Sequence, residues 1–427
     1  MRLRPYARFG LFALVGLMMS WLLACGGGQP SATAPAADGR QEIEFWTMQL
    51  QPDFTDYFNG LIADYETQNP TVTVRWVDVP WADMQSKILT AVTAGTAPDV
   101  VNLNPDFAAQ LASRKAWLPL DGKISEADKQ VYLPNIWQAN TLNGQSFGIP
   151  WYLTTNVTLH NQALLKAAGV APPTTYAELA KVARQVKEKT GKYAYFTTFV
   201  PEDSADVMQS FVQMGVDLVD DQGQAAFDTP AGRALFQYWT DLYQQELLPQ
   251  EVLTQGHRRA IELYQAGEVA LLSTGAEFFP TIEANAPDIA AVTGTGPQIT
   301  GDTDKINVAV MNLVIPAATD VPDAALAFAL YLTNDANQLS FAKAANVLPS
   351  AAGALQDSYF KAEGTQGVEQ ARSISAAQMN QAQVLIPAMD GVKELQAILY
   401  DNLQATMLGQ KTVDEAVSDA AAAWNGR

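Results

Sequence analysis

Cysteine occurs once in the 427 residues, at Cys25, and histidine twice, at His160 and His257. One thiol excludes disulfides within the chain and any thiolate metal site. Two histidines so far apart, with no His-Glu-x-x-His, leave no metal-binding pattern, so neither a metal nor a cofactor is expected. Basic residues are scarce too: 26 Lys and Arg stand against 45 Asp and Glu, for a formal net charge of −19. Nucleic-acid binders present basic stripes to phosphate and polybasic proteins dock on anionic lipid, so both modes are excluded and no nucleic-acid partner is expected. The apolar run over residues 9–23 falls short of the ~20 residues a bilayer-spanning helix needs.

That run has another reading. It follows Arg2, Arg4 and Arg8 and ends in Leu22-Leu23-Ala24-Cys25, so residues 1–24 read as an export signal. Leu-Leu-Ala-Cys resembles a bacterial lipobox, whose cysteine is lipidated and becomes the first mature residue. Cys25 is thus the expected lipidation site. Residues 25–40, mostly Gly, Ala, Pro and small polar residues, cannot bury enough apolar surface to fold and read as a flexible tether. The expected location is extracytoplasmic, on the cell membrane through an acyl anchor, in the periplasm or on the outer face of the cytoplasmic membrane.

Hydrophobic residues make up 48% and aromatics 9%, ample for cores, and the length calls for two lobes rather than one. Order begins at residue 43. Residues 43–46, 71–79 and 99–103 read as strands. Between them, Phe54, Tyr57, Phe58, Leu61, Ile62 and Tyr65 mark one face of a helix over 53–68, and residues 81–93 read as a second helix. Strand, helix, strand, helix, strand implies parallel pairing with right-handed crossovers. Thr175-x-x-Glu178 and Thr412-x-x-Glu415 read as capping boxes, Thr229-Pro230 opens another helix, and further helices are expected near 257–266, 322–333 and 335–345.

Catalytic motifs are few. Gly144-Gln145-Ser146-Phe147-Gly148 fits G-x-S-x-G, but a nucleophile elbow needs a helix straight after the serine. Here Pro150 forbids one and Asn143-Gly144 marks a hairpin turn. Gly294-Thr295-Gly296-Pro297 fails both phosphate-loop spacings. No pair of carboxylates is singled out, so no catalytic residue is assigned. What remains is aromatic: Trp46, Trp81, Trp137, Trp151, Tyr152, Phe278 and Phe279 lie beside turn chemistry. Aromatic faces suit the C–H face of a sugar ring, and amides or carboxylates suit its hydroxyls.

Several short stretches, in order, resemble carbohydrate-type extracellular solute-binding proteins of ABC importers, the group that includes maltose-binding protein. They are Ile43-Glu44-Phe45-Trp46-Thr47, Asn69-Pro70, Lys87-Ile88-Leu89-Thr90-Ala91, and Gly95-x-Ala97-Pro98-Asp99-Val100-Val101. Then come Leu118-x-Leu120-Asp121, Gly148-Ile149-Pro150-Trp151-Tyr152, Ala168-Gly169, Tyr264-Gln265-Ala266-Gly267-Glu268 and Leu348-Pro349-Ser350. The resemblance implies an α/β, two-lobed periplasmic-binding-protein-like fold of type II, with the ligand cleft between the lobes. It implies a first lobe of 41–150 plus 279–317 and a second of 151–278 plus 318–427. Ligand contacts would come from Trp46, Gln49, Trp81, Asn102, Asn104, Trp151, Tyr152, Glu277, Phe278 and Asn312. The family often has Gly-x-Trp where this chain has Gly275-Ala276-Glu277, so its cleft chemistry departs from the usual disaccharide binder. The implied function is capture of a mono- or oligosaccharide by hinge closure and delivery to an importer permease, by a monomer that is not an enzyme. The alternatives are a surface-anchored glycoside-active enzyme, a sensor that docks to a receptor, or a binder of a polyamine or sugar phosphate.

Overall fold

The computed structural model describes residues 39–201, 203–361, 367–386 and 389–427. The expected export signal, Cys25 and nearly all of the expected tether lie outside the described residues.

The alternation near the N-terminus becomes three parallel strands. β1 (Gln41–Met48) lies between β2 (Val72–Val79) and β3 (Val100–Leu103), with Ile43 opposite Val74 and Phe45 opposite Val100. Helix Thr55–Gln68 buries Phe58, Leu61, Ile62 and Tyr65, the predicted face. Helix Trp81–Ala94 stops at Gly95, whose φ of 68° is the left-handed geometry that ends helices on glycine. β4 (Thr141–Leu142) and β5 (Gln145–Ser146) form the expected hairpin. Asn143 and Gly144 both have positive φ, as a type I′ turn requires, so Ser146 is a strand residue and no elbow exists.

The chain then builds a second sheet before returning to the first. β6 (Ile149–Thr155) leads through Asn156 into β7 (Val157–Asn161), which pairs antiparallel with β8 (Leu271–Thr274) and β9 (Thr293–Gly296). β10 (Ile306–Val314) returns between β3 and β6, antiparallel to both. With β11 (Leu348–Pro349) the first sheet has the order β11-β6-β10-β3-β1-β2, and β12 (Ala382–Gln383) pairs with the start of β10. The Thr412–Glu415 capping box forms as read. Thr175 caps its helix, but the Glu178 carboxylate reaches Thr174 instead of the cap residue.

Each sheet has its own core. One face of the first sheet buries Phe45, Phe58, Trp151, Phe328 and Phe341, and the other buries Trp46, Met84, Leu103 and Trp117. The second core gathers Leu159, Phe199, Trp239, Tyr264, Tyr400 and Trp424. These cores correct the expected lobe boundaries. Phe279 and Ile282 pack in the second core and β9 lies in its sheet, so residues 279–296 belong to the second lobe. Phe328, Phe341, Leu348 and Phe360 pack in the first core, so residues 318–360 belong to the first lobe. The first crossing falls at Asn156, because β6 stays registered with β10 up to the Thr155–Val308 pair.

At the waist the crossing segments are joined by buried side-chain amides. Gln298 Oε1 accepts from Gln213 Nε2 (3.2 Å) and from the Asn307 N–H (2.8 Å), while its own N–H donates to Gln378 Oε1 (2.7 Å). Gln378 Nε2 donates in turn to Thr155 Oγ1 and the Asn156 carbonyl, both at 3.1 Å. All three glutamines are buried.

Trp151 was expected to stack on ligand and instead is 1% exposed. Its ring stacks on Phe341 at 5.1 Å and 20°, with Phe58 edge-on at 5.9 Å. Trp151→Ala should therefore cost about 3–5 kcal/mol of stability, read as a lower urea midpoint, through the cavity it leaves. Gln378→Leu should cost about 1–3 kcal/mol in the same measurement, because it strands the Gln298 N–H and the Asn156 carbonyl in a buried setting.

Candidate functional site

Between the two cores lies a cleft of about 780 Å³. Its floor is made by the crossing segments, through Thr154 and Asn156 on one and Asn307, Val308, Ala309 and Met311 on the other. The floor thus comes from the same stretches that the amide network ties together.

The first-lobe wall consists of Trp81, Gln85, Asn104 and Phe107. Trp81 opens its helix directly after Pro80, so its ring is thrown outward and is 47% exposed. Its N–H donates to Gln49 Oε1 (3.2 Å), and Gln49 itself adopts a φ of 51° at the end of the first strand. Asn104 caps the next helix, accepting from the Phe107 N–H at 2.8 Å, which leaves its amide NH₂ as its donor.

The second-lobe wall carries the charge: Asp203, Asp206, His257, Glu277 and Lys393 all line it, with Ser204, Gln209, Thr274 and Phe278. The His257 N–H donates to Asp203 Oδ1 at 2.7 Å, its Nε2 lies 3.5 Å from Thr274 Oγ1, and Phe278 meets its ring edge-on at 6.2 Å. Burial raises the Asp206 carboxyl above its ordinary range, opposed by the neighbouring His257 and by the Ser204 hydroxyl. Glu277 is only partly exposed. Loss of water pushes its carboxyl up to about 7, against a hydrogen bond from its own N–H. That carboxylate folds back over Gly275, where a Cβ would overlap it.

Of the ten expected contact residues, Trp81, Asn104, Glu277 and Phe278 line the cleft. The other six do not. Trp46 is 7% exposed, packs in one core with Met84, Leu103 and Trp117, and donates its indole N–H to Glu44 Oε1 at 2.6 Å. Gln49 acts behind Trp81. Trp151 is core, and Tyr152 packs against it edge-on at 5.1 Å. Asn102 and Asn312 are fully buried neighbours across β3 and β10. Asn102 Nδ2 donates to the Asn312 carbonyl (3.3 Å), and Asn312 Nδ2 donates to the Val310 carbonyl (2.9 Å). Beside a bulge between Val310 and Asn312, both amide NH₂ groups are turned onto backbone carbonyls inside the sheet, while both Oδ1 atoms are buried with no partner among the described residues. Sequence reasoning missed Asp203, Asp206, His257, Asn156 and Asn307, none of which stands in a recognisable motif.

A second hollow of about 510 Å³ lies behind the waist, lined by Thr174, Gln298, Thr300, Lys305 and Gln383 among others, with no aromatic ring. Among the described residues no three His, Cys, Asp or Glu side chains converge so as to hold a metal ion.

Comparison with known proteins follows this geometry. Among curated proteins, the chain is 26% identical over 297 residues to an arabinooligosaccharide-binding protein of Halalkalibacterium halodurans, covering 62% of this chain and 65% of that one. A relative from Brucella abortus is 21% identical over 262 residues, 61% of this chain and 63% of its own. The chain therefore spans a little less than two thirds of the length of these curated relatives. Among solved structures, a candidate oligosaccharide periplasmic-binding protein from Synechococcus sp. MITs9220, in complex with zinc, is 46% identical. It superposes with a TM-score of 0.85 over 90% of this chain and 98% of that one, which places the fold among the type II periplasmic binding proteins. A model of the bacterial extracellular solute-binding protein describes residues 51–339. With more than half its length inside that match, the chain belongs to the bacterial extracellular solute-binding protein family.

Proposed function

We propose that this protein is the sugar receptor of an ABC importer, anchored outside the cytoplasm through a lipidated Cys25, closing on a mono- or oligosaccharide and delivering it to the permease. One observation carries the reading. Of the three large hydrophobic side chains exposed among the described residues, two, Trp81 and Phe278, stand on opposite walls of one cleft. Exposed aromatic rings are unfavourable in water and find their use against the apolar face of a sugar. Between them the cleft offers Gln85, Asn104, Asn156 and Asn307, whose amides pair with ring hydroxyls. Hinge motion about the waist brings the two rings together over the ligand.

Binding without chemistry is the better reading of the same walls. Glycoside hydrolysis needs two carboxyl groups flanking the scissile bond. Here Asp203, Asp206 and Glu277 share one wall, and among the described residues no acid lines the first-lobe wall facing them. The names of the relatives from Halalkalibacterium and Synechococcus agree with an oligosaccharide ligand.

A thermal-shift screen of the chain without its N-terminal segment should find a sugar that raises the melting temperature, since ligand at 100 times its Kd adds about 2.7 kcal/mol. The same sugar should be recovered unaltered after prolonged incubation. Trp81→Ala should weaken its binding by about 1–2 kcal/mol in calorimetry while leaving the ligand-free melting temperature nearly in place, because half of that ring is already in solvent. Cys25→Ser in cells should move the protein from the membrane fraction to the soluble one. A soluble wild type, or a variant that stays in the membrane, would remove the anchor.

A further inference from the structure

We propose that residues 384–386 form a specificity strap across the cleft floor, pinned by Asn307. Its aliphatic shelf selects a sugar unit that carries hydrogen or methyl where a common hexose carries hydroxymethyl. This rests on the sugar-receptor reading and narrows its ligand.

The strap is built outward from a crossing strand. β12 runs parallel to the start of β10, with Ala382 opposite Ile306 and Gln383 opposite Asn307. Beyond that short ladder the Asn307 side chain continues the pairing, for its Oδ1 accepts the Leu385 N–H at 3.1 Å. Asn307 is itself fixed, since its own N–H donates to Gln298 Oε1 in the waist network. Leu385 is 5% exposed, and its neighbours on either side, Val384 and Ile386, line the cleft. Val384 packs against the first core and Ile386 against the second, so three residues span the gap between the lobes. A segment outside any helix or longer strand needs an anchor, and an inward-turned N–H needs an acceptor. Asn307 supplies both.

Val384 and Ile386 join Ala309 of β10 and Ala397 of helix Val392–Met407 as half-buried aliphatic side chains in the cleft lining. None of the four carries a hydrogen-bonding group. Two polar side chains stand on the same elements. Asn307, its oxygen engaged by Leu385, keeps its NH₂ for a ligand hydroxyl, and Lys393, one turn before Ala397, donates to Gln396 Oε1 at 3.3 Å. A primary hydroxyl pressed onto aliphatic carbon loses water without a replacement partner, whereas methyl or hydrogen forfeits nothing and buries apolar surface. The aromatic walls meet the C–H faces of a sugar ring and are indifferent to what its edge carries. The shelf is not.

The test is calorimetry on the full chain with sugars that share ring stereochemistry and differ only at the hydroxymethyl. The series are D-galactose, D-fucose and L-arabinose; D-glucose, 6-deoxy-D-glucose and D-xylose; and the β-1,4 trimers cellotriose and xylotriose. In a series that binds, the methyl or hydrogen member should bind about tenfold tighter or more than its hydroxymethyl parent. Val384→Thr, nearly the same shape with a hydroxyl added to the shelf, should narrow that preference. Asn307→Ala should narrow it too and speed hydrogen exchange in the peptide spanning Leu385, while Asn307→Asp, which keeps the acceptor, should restore both. Loss of a direct contact from Asn307 alone would weaken parent and counterpart alike and leave their ratio unchanged. A parent that binds as tightly as its counterparts overturns the shelf and leaves the sugar receptor standing. A preference that survives both Val384→Thr and Asn307→Ala overturns its assignment to the strap, and unchanged exchange at Leu385 overturns the pin. Failure of every one of these sugars overturns the receptor reading along with the strap.

Discussion

The structure depends on how two separately packed lobes are held at a waist that cannot be apolar. Where the chain crosses between them, backbone N–H and C=O groups leave their sheets while still shielded from water, and each needs a partner. Gln298 and Gln378 supply those partners. One takes the Asn307 N–H and gives its own to the other, which reaches the Asn156 carbonyl and the Thr155 hydroxyl. Gln213, fixed by the Tyr176 hydroxyl at 2.7 Å, extends the network into the second lobe. A greasy waist would merge the two cores into one. Amides keep the cores distinct while fixing the register of the crossing segments, because a hydrogen bond is directional in a way that hydrophobic burial is not.

The cleft follows from that constraint. Its floor is laid by Asn156, Asn307 and Val308, inside the stitched segments, so floor and waist are one construction. Its walls come from places where strands and helices end: Trp81 at a helix start, Asn104 at a helix cap, Phe278 just beyond β8. Such positions present side chains that no sheet or helix face can absorb. Because each sits at the end of a regular element, its backbone position is set by the packing of that element.

The regular elements were legible because burial has a period. Helix Thr55–Gln68, strands β1 to β3 and the Asn143-Gly144 hairpin are each written in local spacing or turn chemistry. Trp81 and Phe278 were legible for a related reason, as large apolar residues beside chain breaks and off any apolar stripe. Trp151 has the same local signature and the opposite fate, for β6 lies between β10 and β11 and is covered by Phe341, far along the chain. Asn102 and Asn312 misled in the reverse sense. Asparagine near a strand end suggests ligand contact, yet here a bulge turns their amides onto neighbouring carbonyls. Asp203 and His257 stand 54 residues apart and meet only through tertiary structure, so no window of sequence holds them together. The lobe boundaries failed for a like reason: whether residues 318–360 cover the first or the second core is a matter of long-range packing, which local pattern does not encode.

Glu277 shows how a single small residue can set the chemistry of a wall. Its carboxylate rests where a side chain at Gly275 would be, within reach of its own N–H and away from bulk water. Any larger residue at position 275 would drive the carboxylate out of that seat and into the open cleft, where solvent would return its affinity for protons to the ordinary range. The glycine is needed here for its missing Cβ rather than for backbone freedom, since its φ of −78° is open to any residue. A carboxyl seated this way is poised between its neutral and ionised forms near neutral pH. What enters the cleft then decides which form persists: a hydroxyl can accept the proton-bearing form as a donor, whereas an ammonium selects the anion.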